Sequence, residues 1–488
     1  MPYHLLSKSK YLNGLQCPKL LWIQIKEPER IPETDPVTQY LFDQGHLVGA
    51  LAKKLFPSGI DLPTDEFVDN IRQAKTLFEQ RKPFFEAGIL AGRIYSRIDV
   101  LNPVNGDEWD IIEVKSSTSV KDIHIHDVSF QKYCCEKLGL NINKCYLMHI
   151  NNQYVKVGDI DSEKLFILQD ISTEVEQAKQ GIQDRIDSLF EIISASECPD
   201  VAIGNHCTNP YDCPITECWN GLPKHNIFTL YYVGKESSEL YRNGIINIID
   251  IPDSYKLDHR QQIQRACITS GQPHVNPEAV RQFLSSLQYP LHYLDFETIG
   301  PAVPLFDGTR PYQDIPFQFS LHIIRDEHSK PEHFSFLTSG TSDPRPTLLN
   351  ELQRLLGSTG SIVVYHQSFE EGILRDLGHT FPEYDGWVSQ VRDRLVDLLE
   401  PFSRFHYYHP LQKGSASLKK VLPAITGCGY EGLDITEGQA ASIAYQAVTY
   451  GDVPEEVRNK VRKDLEKYCG RDTEGMIWIV EKLHELCA

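Results

Sequence analysis

Residues 292–298 read HYLDFET, in which an apolar run ends in two carboxylates spaced two residues apart. The short apolar run predicts a buried β-strand. Because alternate residues of a strand share one face, Asp295 and Glu297 are expected to project side by side. Two carboxylates on a buried face need a compensating cation, so this stretch predicts a metal site in an α/β domain.

Two later stretches add acids to this candidate site. Residues 361–374 read SIVVYHQSFEEGIL, a β-branched run that turns into a helix with Glu370 in its first turns. Near the end of the sequence, apolar residues recur at helical spacing, and Asp472 falls on this stripe one turn after Tyr468. An acid on a buried stripe needs a partner, which strengthens the prediction of a metal site.

Taken in order, these residues resemble the DEDD, or DnaQ-like, 3′–5′ exonucleases. The resemblance implies an RNase H-like domain whose carboxylates bind two Mg²⁺ or Mn²⁺ ions. Tyr468 would orient the attacking water, which selects the tyrosine subtype of the family. The implied metal ligands are Asp295, Glu297, Glu370 and Asp472.

The second motif departs from the family pattern of an Asn followed four residues later by an Asp. His366 and Glu370 stand at those positions, and Glu371 is a neighbouring alternative. Residues 413–420, KGSASLKK, fit phosphate contact and a solvated, N-capped helix equally well. The aromatic stretch 405–409, FHYYH, could stack on unpaired bases, but core packing is the better explanation.

A second set of acids lies in the first half of the sequence. Residues 92–101, GRIYSRIDVL, and 109–115, WDIIEVK, read as the two strands of a hairpin. Glu113 and Lys115 then share one face, and Asp99 can lie opposite them. A helix is expected to begin near Asp127, with Gln131 one turn in.

This order resembles the PD-(D/E)xK nucleases of the RecB and CRISPR-associated exonuclease type, although Glu-x-Lys alone would suggest only a surface hairpin. The resemblance implies a restriction-endonuclease-like domain with a metal site at Asp99 and Glu113 and with Lys115 and Gln131 beside it. Glu86, in PFFEAG, matches an acid that precedes the hairpin. Gly49 stands where the family has a metal-binding His, so His46 is the candidate substitute.

Cysteines flank this first set of acids. Cys207, Cys213 and Cys218 lie within HCTNPYDCPITECW, and three thiols so close together favour a metal site over buried thiols. The fourth ligand is Cys17 or Cys198. Iron–sulfur RecB-type nucleases place one Cys before the nuclease core and three after it, so the resemblance implies Cys17 and a [4Fe–4S] cluster. Structural zinc is the alternative.

Length and composition limit the organisation of the chain. The 488 residues divide into regions 1–220, 221–288 and 289–488, the middle one being a connector or small insert with short strands at 228–233 and 245–251. No apolar stretch approaches a membrane span and the opening residues are polar, so a cytoplasmic protein without a membrane partner is expected. The net charge of −19 argues against nucleic-acid binding through a broad basic surface.

The two motif sets together resemble a bacterial family that fuses an iron–sulfur RecB-type nuclease with a DnaQ-like exonuclease. The expected activity is metal-dependent hydrolysis of DNA at two candidate sites. Two alternatives stay open: RNA as the substrate, and a nucleic-acid-binding or assembly protein in which one or both sites are degenerate. The sequence predicts no particular protein partner.

Overall fold

The computed structural model describes residues 4–487, which form a mixed α/β protein. The chain divides into two compact units, of which the first comprises Met1–Gly221 with Pro301–Tyr312. The second comprises Leu222–Gly300 and Gln313–Ala488. Within the described range, no helix has both the length and the apolar composition of a membrane span.

The first unit is built on a mixed sheet in the order β2-β3-β4-β5-β6-β7, with β1 pairing in parallel with β4. Its strands are β1 (Leu6–Ser7), β2 (Ile60–Asp61), β3 (Phe84–Ala91), β4 (Ile94–Pro103), β5 (Glu108–Lys115), β6 (Asn141–Ile150) and β7 (Phe166–Asp170). Its helices are α1 (Lys8–Gln16), α2 (Pro18–Lys26), α3 (Pro36–Lys53), α4 (Phe67–Leu77), α5 (Asp122–Lys137), α6 (Ser162–Leu165), α7 (Ser172–Lys179) and α8 (Ile182–Ser194).

The two faces of this sheet pack against different helices. Ile111 of β5 lies in a core with Phe130 of α5, whereas its neighbour Ile112 lies in a second core with Val48 of α3. Because side chains alternate along a strand, Glu113 points to the same face as Ile111. The sheet therefore directs Glu113 towards α5.

The expected hairpin is present as the antiparallel pair β4–β5. The following helix begins at Asp122, so the prediction that it starts near Asp127 was wrong. Lys121 precedes α5, and its backbone N–H lies 3.2 Å from Nδ1 of His124. This cap uses residues that are not typical of helix N-termini, so the sequence did not indicate the true start.

The second unit contains a five-stranded sheet in the order β11-β10-β9-β12-β13 and a two-stranded pair, β14 with β8. Its strands are β8 (His274–Val275), β9 (Leu291–Ile299), β10 (Ile315–Ile324), β11 (Glu332–Leu337), β12 (Ile362–Val364), β13 (Leu395–Asp397) and β14 (Tyr407–Tyr408). Its helices are α9 (Glu236–Arg242), α10 (His259–Ser270), α11 (Pro277–Ser285), α12 (Arg345–Leu356), α13 (Gln367–Thr380), α14 (Asp385–Arg392), α15 (Glu400–Ser403), α16 (Leu418–Thr426), α17 (Gly438–Tyr450) and α18 (Glu455–Glu485).

Strand β9 is the centre of this sheet. It pairs antiparallel with β10, which in turn pairs antiparallel with β11, and on its other side it pairs in parallel with β12. The long helix α18 packs across β9 and β10. The register places Ser320 opposite Asp295 and Gln318 opposite Glu297, so these polar pairs lie under α18.

The runs 228–233 and 245–251 do not form strands, so that prediction was wrong. The first run overlaps the 3₁₀ turn Ile227–Thr229, and the second contains the 3₁₀ turn Ile248–Asp250. Ile227, Leu230 and Val233 are buried together in a small core with Ile248. Ile227, Leu230 and Val233 are spaced three apart, which is not the two-residue period of a strand.

Candidate active sites

The first carboxylate cluster lies on the face of the first sheet that α5 covers. The register pairs Val100 with Ile112, which brings Asp99 and Glu113 to neighbouring positions on adjacent strands. One oxygen of Asp99 accepts the backbone N–H of Val114 at 2.9 Å. Gln131 lies on α5 and donates to Oε2 of Glu113 at 2.6 Å. The structure therefore brings Asp99, Glu113 and Gln131 together.

Two lysines hold the centre of this cluster. Nζ of Lys115 lies 2.5 Å from Oε1 of Glu113 and 2.9 Å from Oδ2 of Asp127. Nζ of Lys8, at the start of α1, lies 2.8 Å from the same Glu113 oxygen and 3.4 Å from Asp127. Gln131 also donates to Asp127, at 2.8 Å. Lys8 and Asp127 were not among the predicted site residues.

Asp127 could have been recognised, because it precedes Gln131 by four residues and so lies on the same face of the helix. Lys8 gave no such signal, since it belongs to a different element far away in the sequence. Its position follows from β1, which pairs with β4 and sets the start of α1 beside the carboxylates.

The two buried acids of the cluster have opposite pKa shifts. Burial, with the negative charges of Asp127 and Asp99, raises the pKa of Glu113 to about 7. Burial alone would also raise the pKa of Asp127, but the ammonium groups of Lys115 and Lys8 outweigh it and hold this pKa below its usual range. At neutral pH, Glu113 is thus the acid whose charge most depends on a further cation.

Glu86 lies next to the cluster, but its charge is directed to another partner. It occupies a break in the β3–β4 register opposite Asp99 and has a left-handed backbone with φ of 59°. Its carboxylate pairs with Nε of Arg97 at 3.1 Å. In this structure Glu86 is therefore held by a guanidinium and not by the lysine–carboxylate cluster.

His46 is not brought to the cluster. Its side chain is exposed on α3, whose buried residues Val48, Leu51 and Ala52 pack against the opposite face of the sheet. A helix advances about 100° per residue, so His46 and Val48 point in widely different directions. The proposed replacement of the family histidine by His46 has no support in this geometry.

Four cysteines line one small cavity of the first unit: Cys17, Cys207, Cys213 and Cys218. Cys17 lies between α1 and α2, and Gln16 beside it donates to the carbonyl oxygens of His206 and Tyr211 at 2.9 and 2.7 Å. These bonds fasten the α1–α2 junction to the cysteine loop. Cys198 packs nearby but does not line the cavity.

The second carboxylate cluster lies where α18 crosses β9. Carboxylate oxygens of Asp295 and Glu297 and the sulfur of Cys469 all lie within 4.8 Å of one another. The Cys469 thiol donates to Oδ2 of Asp295 at 3.4 Å. Asp472 lies one turn further along α18, and its Oδ1 accepts a hydrogen bond from the hydroxyl of Tyr430. The strand and the helix therefore bring three predicted acids together.

Glu370 completes the cluster from α13. It is buried, and one of its oxygens, Oε2, has no hydrogen-bond partner among the described residues. Burial and then the negative charge of Asp295 raise its pKa well above the usual value. The neighbouring Glu371 instead pairs with Arg392 at 2.5 Å. Glu370, and not Glu371, is the acid directed into the cluster.

The turn that carries Glu370 is fixed by Asp397. Oδ1 of Asp397 accepts the backbone N–H groups of His366 and Leu399, both at 2.9 Å. His366 has a left-handed backbone with φ of 80° and immediately precedes α13. Asp397 therefore positions the strand-to-helix turn of the second motif.

Burial raises the pKa of every carboxyl in this cluster. The pKa of Asp295 and of Glu297 lies well above the usual value, because burial is reinforced by neighbouring acids. Burial raises the pKa of Asp472 to about 6, although the Tyr430 hydroxyl and the Lys419 ammonium lower it. Such a set of acids loses its protons readily only when a cation is bound between them.

Lys419 is the ammonium closest to these acids. Its Nζ donates to the hydroxyl of Tyr468 at 2.9 Å and to Glu437 at 3.0 Å. The sequence indicated Lys419 only as part of the 413–420 stretch, and it did not indicate Tyr430 or Cys469. Cys469 follows Tyr468 directly and precedes Asp472 by three residues, so helical spacing could have identified it.

Part of the second unit is similar to a protein family that is described without an activity. Residues 292–417 match the family described as "Domain of unknown function (DUF2779)". "Uncharacterized protein MG366" of Mycoplasma genitalium is 26% identical over 213 residues, which are 40% of this chain and 32% of that protein. Its homolog in Mycoplasma pneumoniae is 28% identical over 208 residues, 38% of this chain and 31% of that protein. "Uncharacterized protein UU173" of Ureaplasma parvum is 26% identical over 217 residues, 39% and 31% of the two chains. The chain thus spans about a third of the length of these curated relatives.

Proposed function

We propose that the protein is a metal-dependent nuclease that hydrolyses DNA phosphodiester bonds at two separate sites. The observation that carries this proposal is the cluster of Asp295, Glu297, Glu370 and Asp472, in which burial raises the pKa of every acid. Four acids so close together are unfavourable as anions unless divalent cations lie among them. Clustered carboxylates that hold such ions are typical of phosphodiester hydrolysis.

The sheet of the second unit supports a DnaQ-like, RNase H-like assignment. Its first strand, β9, is central. On one side β10 and then β11 follow through antiparallel pairings, and on the other side β12 and then β13 follow through parallel pairings. The acids come from this first strand, from the helix after the next parallel strand and from the last helix, in the order that the resemblance implies. Bound Mg²⁺ or Mn²⁺ would activate water and neutralise the charge that develops on the phosphate.

The side chains around the acids have defined roles in this proposal. The hydroxyl of Tyr468 accepts a hydrogen bond from Lys419 and is itself a hydrogen-bond partner of the Asp472 carboxylate, so it lies directly beside an acid proposed to bind metal. Lys419 brings a positive charge to a cleft that is otherwise acidic. Tyr468 would therefore orient the water, and Lys419 would orient Tyr468 and attract the phosphate.

The first unit supports a PD-(D/E)xK assignment. Asp99 and Glu113 would hold the cation, Lys115 would stand beside the reacting water, and Gln131 would position Glu113. Glu113 is 1% exposed, so its carboxylate is shielded from solvent and tuned by these neighbours. Asp127 is a third acid of this set, because it contacts Lys115 and Gln131.

We also propose a [4Fe–4S] cluster at Cys17, Cys207, Cys213 and Cys218. A single zinc ion with bonds of about 2.3 Å would hold its four sulfurs about 3.8 Å apart. In the described chain, no three of these sulfurs lie within 4.8 Å of one another. The wider spacing fits a cluster with one iron behind each thiolate better than a single ion.

The test is degradation of end-labelled single- and double-stranded DNA with Mg²⁺ or Mn²⁺, with matched RNA in parallel. Glu113→Ala and Asp295→Ala should each remove the part of the activity that belongs to its own site. Glu108→Ala, on the same strand as Glu113, and Glu371→Ala, beside Glu370, are the matched controls and should cleave normally. Unchanged cleavage in both site variants would show that the assignment is wrong.

A second candidate function follows from the position of Lys8. Its ammonium already forms an ion pair with Glu113, and His46 lies outside the cluster. Both observations favour a first unit that binds nucleic acid without cleaving it. In that case Glu113→Ala would leave cleavage unchanged, whereas Asp295→Ala would abolish it.

A further inference from the structure

Residues 222–288 supply an aromatic wall to an open cavity of about 550 Å³ in the second unit. Tyr231 and Tyr232 form this wall. Tyr232 is 84% exposed, although its ring packs edge-on against Tyr231 with 4.5 Å between the ring centroids. A large aromatic side chain is thus presented to solvent at the mouth of a cavity.

Tyr231, against which the Tyr232 ring packs, is held in place by several contacts. The backbone N–H of Tyr231 donates to Gln264 at 2.8 Å, and its carbonyl oxygen accepts from Gln261 at 2.9 Å. Arg260 lies 4.9 Å from the ring centroid of Tyr231, and Phe405 packs edge-on against the same ring at 4.8 Å. Tyr231 is therefore a fixed support and not a mobile surface residue.

The backbone of Tyr232 indicates a functional constraint. Its φ of 47° lies in the left-handed region, which is unfavourable for a bulky residue without a specific reason. Strained residues of this kind are concentrated at binding and catalytic sites, where the surrounding structure holds them in place. Here the strain keeps an aromatic ring exposed beside the cavity.

Two residues that line the cavity are close along the chain to residues of the second carboxylate cluster. His366 lines the cavity and directly precedes α13, which carries Glu370 in its first turn. Leu418 also lines it and is followed by Lys419, whose ammonium contacts Tyr468. A strand whose phosphate lies at the acids would therefore place a neighbouring nucleotide in this cavity.

The remaining lining suits a nucleotide and not a purely apolar ligand. Ser415 and Ser417 lie in the cavity wall, with their hydroxyls 3.1 Å apart. Ser417 is the N-cap of α16, and its side chain makes no capping hydrogen bond to the first turn of that helix. Hydroxyls and free backbone N–H groups are donors for sugar and phosphate oxygens.

We propose that Tyr231 and Tyr232 form a binding site for an unpaired nucleobase of the strand that is cleaved at the Asp295 cluster. This inference rests on the proposed nuclease function of the second unit. Stacking on an aromatic ring tolerates any base, since every base has a π-face. The 222–288 segment thereby selects single-stranded ends over base-paired duplex.

The experiment uses the full chain with Glu113→Ala and Asp295→Ala, so that bound strands are not degraded. The probe is a single-stranded oligonucleotide with 2-aminopurine at each of its last 3′ positions in turn. Binding is followed by fluorescence anisotropy, and stacking is followed by quenching of 2-aminopurine. A matched oligonucleotide with abasic sites at those positions measures the contribution of the bases.

Adding Tyr232→Ala should remove the quenching and weaken binding by about 5-fold or more, the loss expected when one stacked base is lost. Tyr232→Phe keeps the ring and should keep both signals. Ile249→Ala changes an exposed apolar residue of the same segment that does not line the cavity, and it should bind like the parent.

Equal binding and quenching by the Tyr232→Ala protein and its parent would overturn the inference, as would equal affinity for the abasic strand. Equal losses in Tyr232→Ala and Tyr232→Phe would overturn stacking as the cause. Binding and quenching do not depend on hydrolysis, so failure of the stacking inference can be distinguished from failure of the nuclease proposal. The nuclease proposal fails when the wild-type chain cleaves no nucleic acid, whatever 2-aminopurine shows.

Discussion

The ammonium of Lys8 lies 2.8 Å from Oε1 of Glu113, although 105 residues separate them in the sequence. The same ammonium lies 3.4 Å from Asp127. Lys8 begins α1, the helix that ends beside Cys17, so one short helix connects the first carboxylate cluster to the cysteine cavity.

Removing this ammonium should lower the stability of the protein and raise its affinity for a divalent cation. Lys8→Ala leaves Glu113 and Asp127 with Lys115 as their remaining cation, which should lower the free energy of unfolding by about 2 kcal/mol. The more negative cluster should also bind Mn²⁺ about 5-fold more tightly or better, because a competing positive charge is gone.

Urea unfolding in EDTA and Mn²⁺ titration followed by electron paramagnetic resonance measure the two effects. Lys10→Ala, on the same helix, is the control and should change neither. Weaker Mn²⁺ binding in the Lys8→Ala protein would contradict a competition between this ammonium and the metal.

The pKa of Asp472 predicts how stability depends on pH without metal. An acid whose pKa rises from 3.8 to about 6 on folding binds more protons in the folded state. The free energy of unfolding should therefore fall as the pH rises from about 4 to above 6, by at most about 3 kcal/mol for this group. The other three acids of the cluster shift in the same direction.

Mg²⁺ should remove this loss at pH 8 and have little effect at pH 5, where the acids keep their protons. Thermal unfolding of wild type and Asp472→Asn at both pH values, with Mg²⁺ or with EDTA, provides the measurement. A wild-type protein in EDTA that is more stable at pH 8 than at pH 5 would contradict the predicted sign.

Glu370 and Glu371 provide a comparison between adjacent carboxylates. Glu370→Ala should lower cleavage by the second site by about 100-fold or more, since it removes a metal ligand. In EDTA the same change should stabilise the protein, because it removes a buried carboxylate with an unpartnered oxygen.

Glu371→Ala breaks a partly exposed ion pair with Arg392. It should change stability by less than about 1 kcal/mol and leave cleavage unchanged. Single-turnover kinetics on labelled single-stranded DNA separate the two variants. A larger loss of cleavage in Glu371→Ala than in Glu370→Ala would show that Glu371, and not Glu370, is the metal ligand of the second motif.

Cys17 and Cys198 give a second comparison, at the cysteine cavity. Cys17→Ser should reduce bound iron and visible absorbance strongly, because Cys17 lines the cavity with the other three cysteines. Cys198→Ser should retain both. Iron and zinc analysis of proteins purified without oxygen is the measurement, and stoichiometric zinc without iron would refute the cluster.

Local patterns in the sequence predicted the strands and helices that carry the acids of each site. The two-residue spacing of Asp295 and Glu297 and the four-residue spacing of Tyr468 and Asp472 are consequences of strand and helix geometry, and both residue pairs lie as expected. Residues such as Lys8 and Tyr430 could not be predicted. Their positions depend on how elements distant in the sequence pack together, and the spacing of neighbouring residues does not predict that packing.

The 222–288 segment shows a different limit. Its apolar runs were interpreted as strands, whereas the first begins in the 3₁₀ turn Ile227–Thr229 and buries Ile227, Leu230 and Val233 at three-residue spacing. Short apolar runs fit either structure, so composition alone misassigned them. The exposure of the Tyr232 ring depends on a left-handed backbone conformation, and a tyrosine in the sequence does not predict that conformation.

Cleavage of single-stranded DNA by the full chain carrying both Glu113→Ala and Asp295→Ala is the most direct test of a nuclease with two metal sites. The double variant should show no Mg²⁺- or Mn²⁺-dependent degradation, while a protein carrying Glu108→Ala and Glu371→Ala should match wild type. Degradation by the purified double variant at the wild-type rate would contradict both assigned sites.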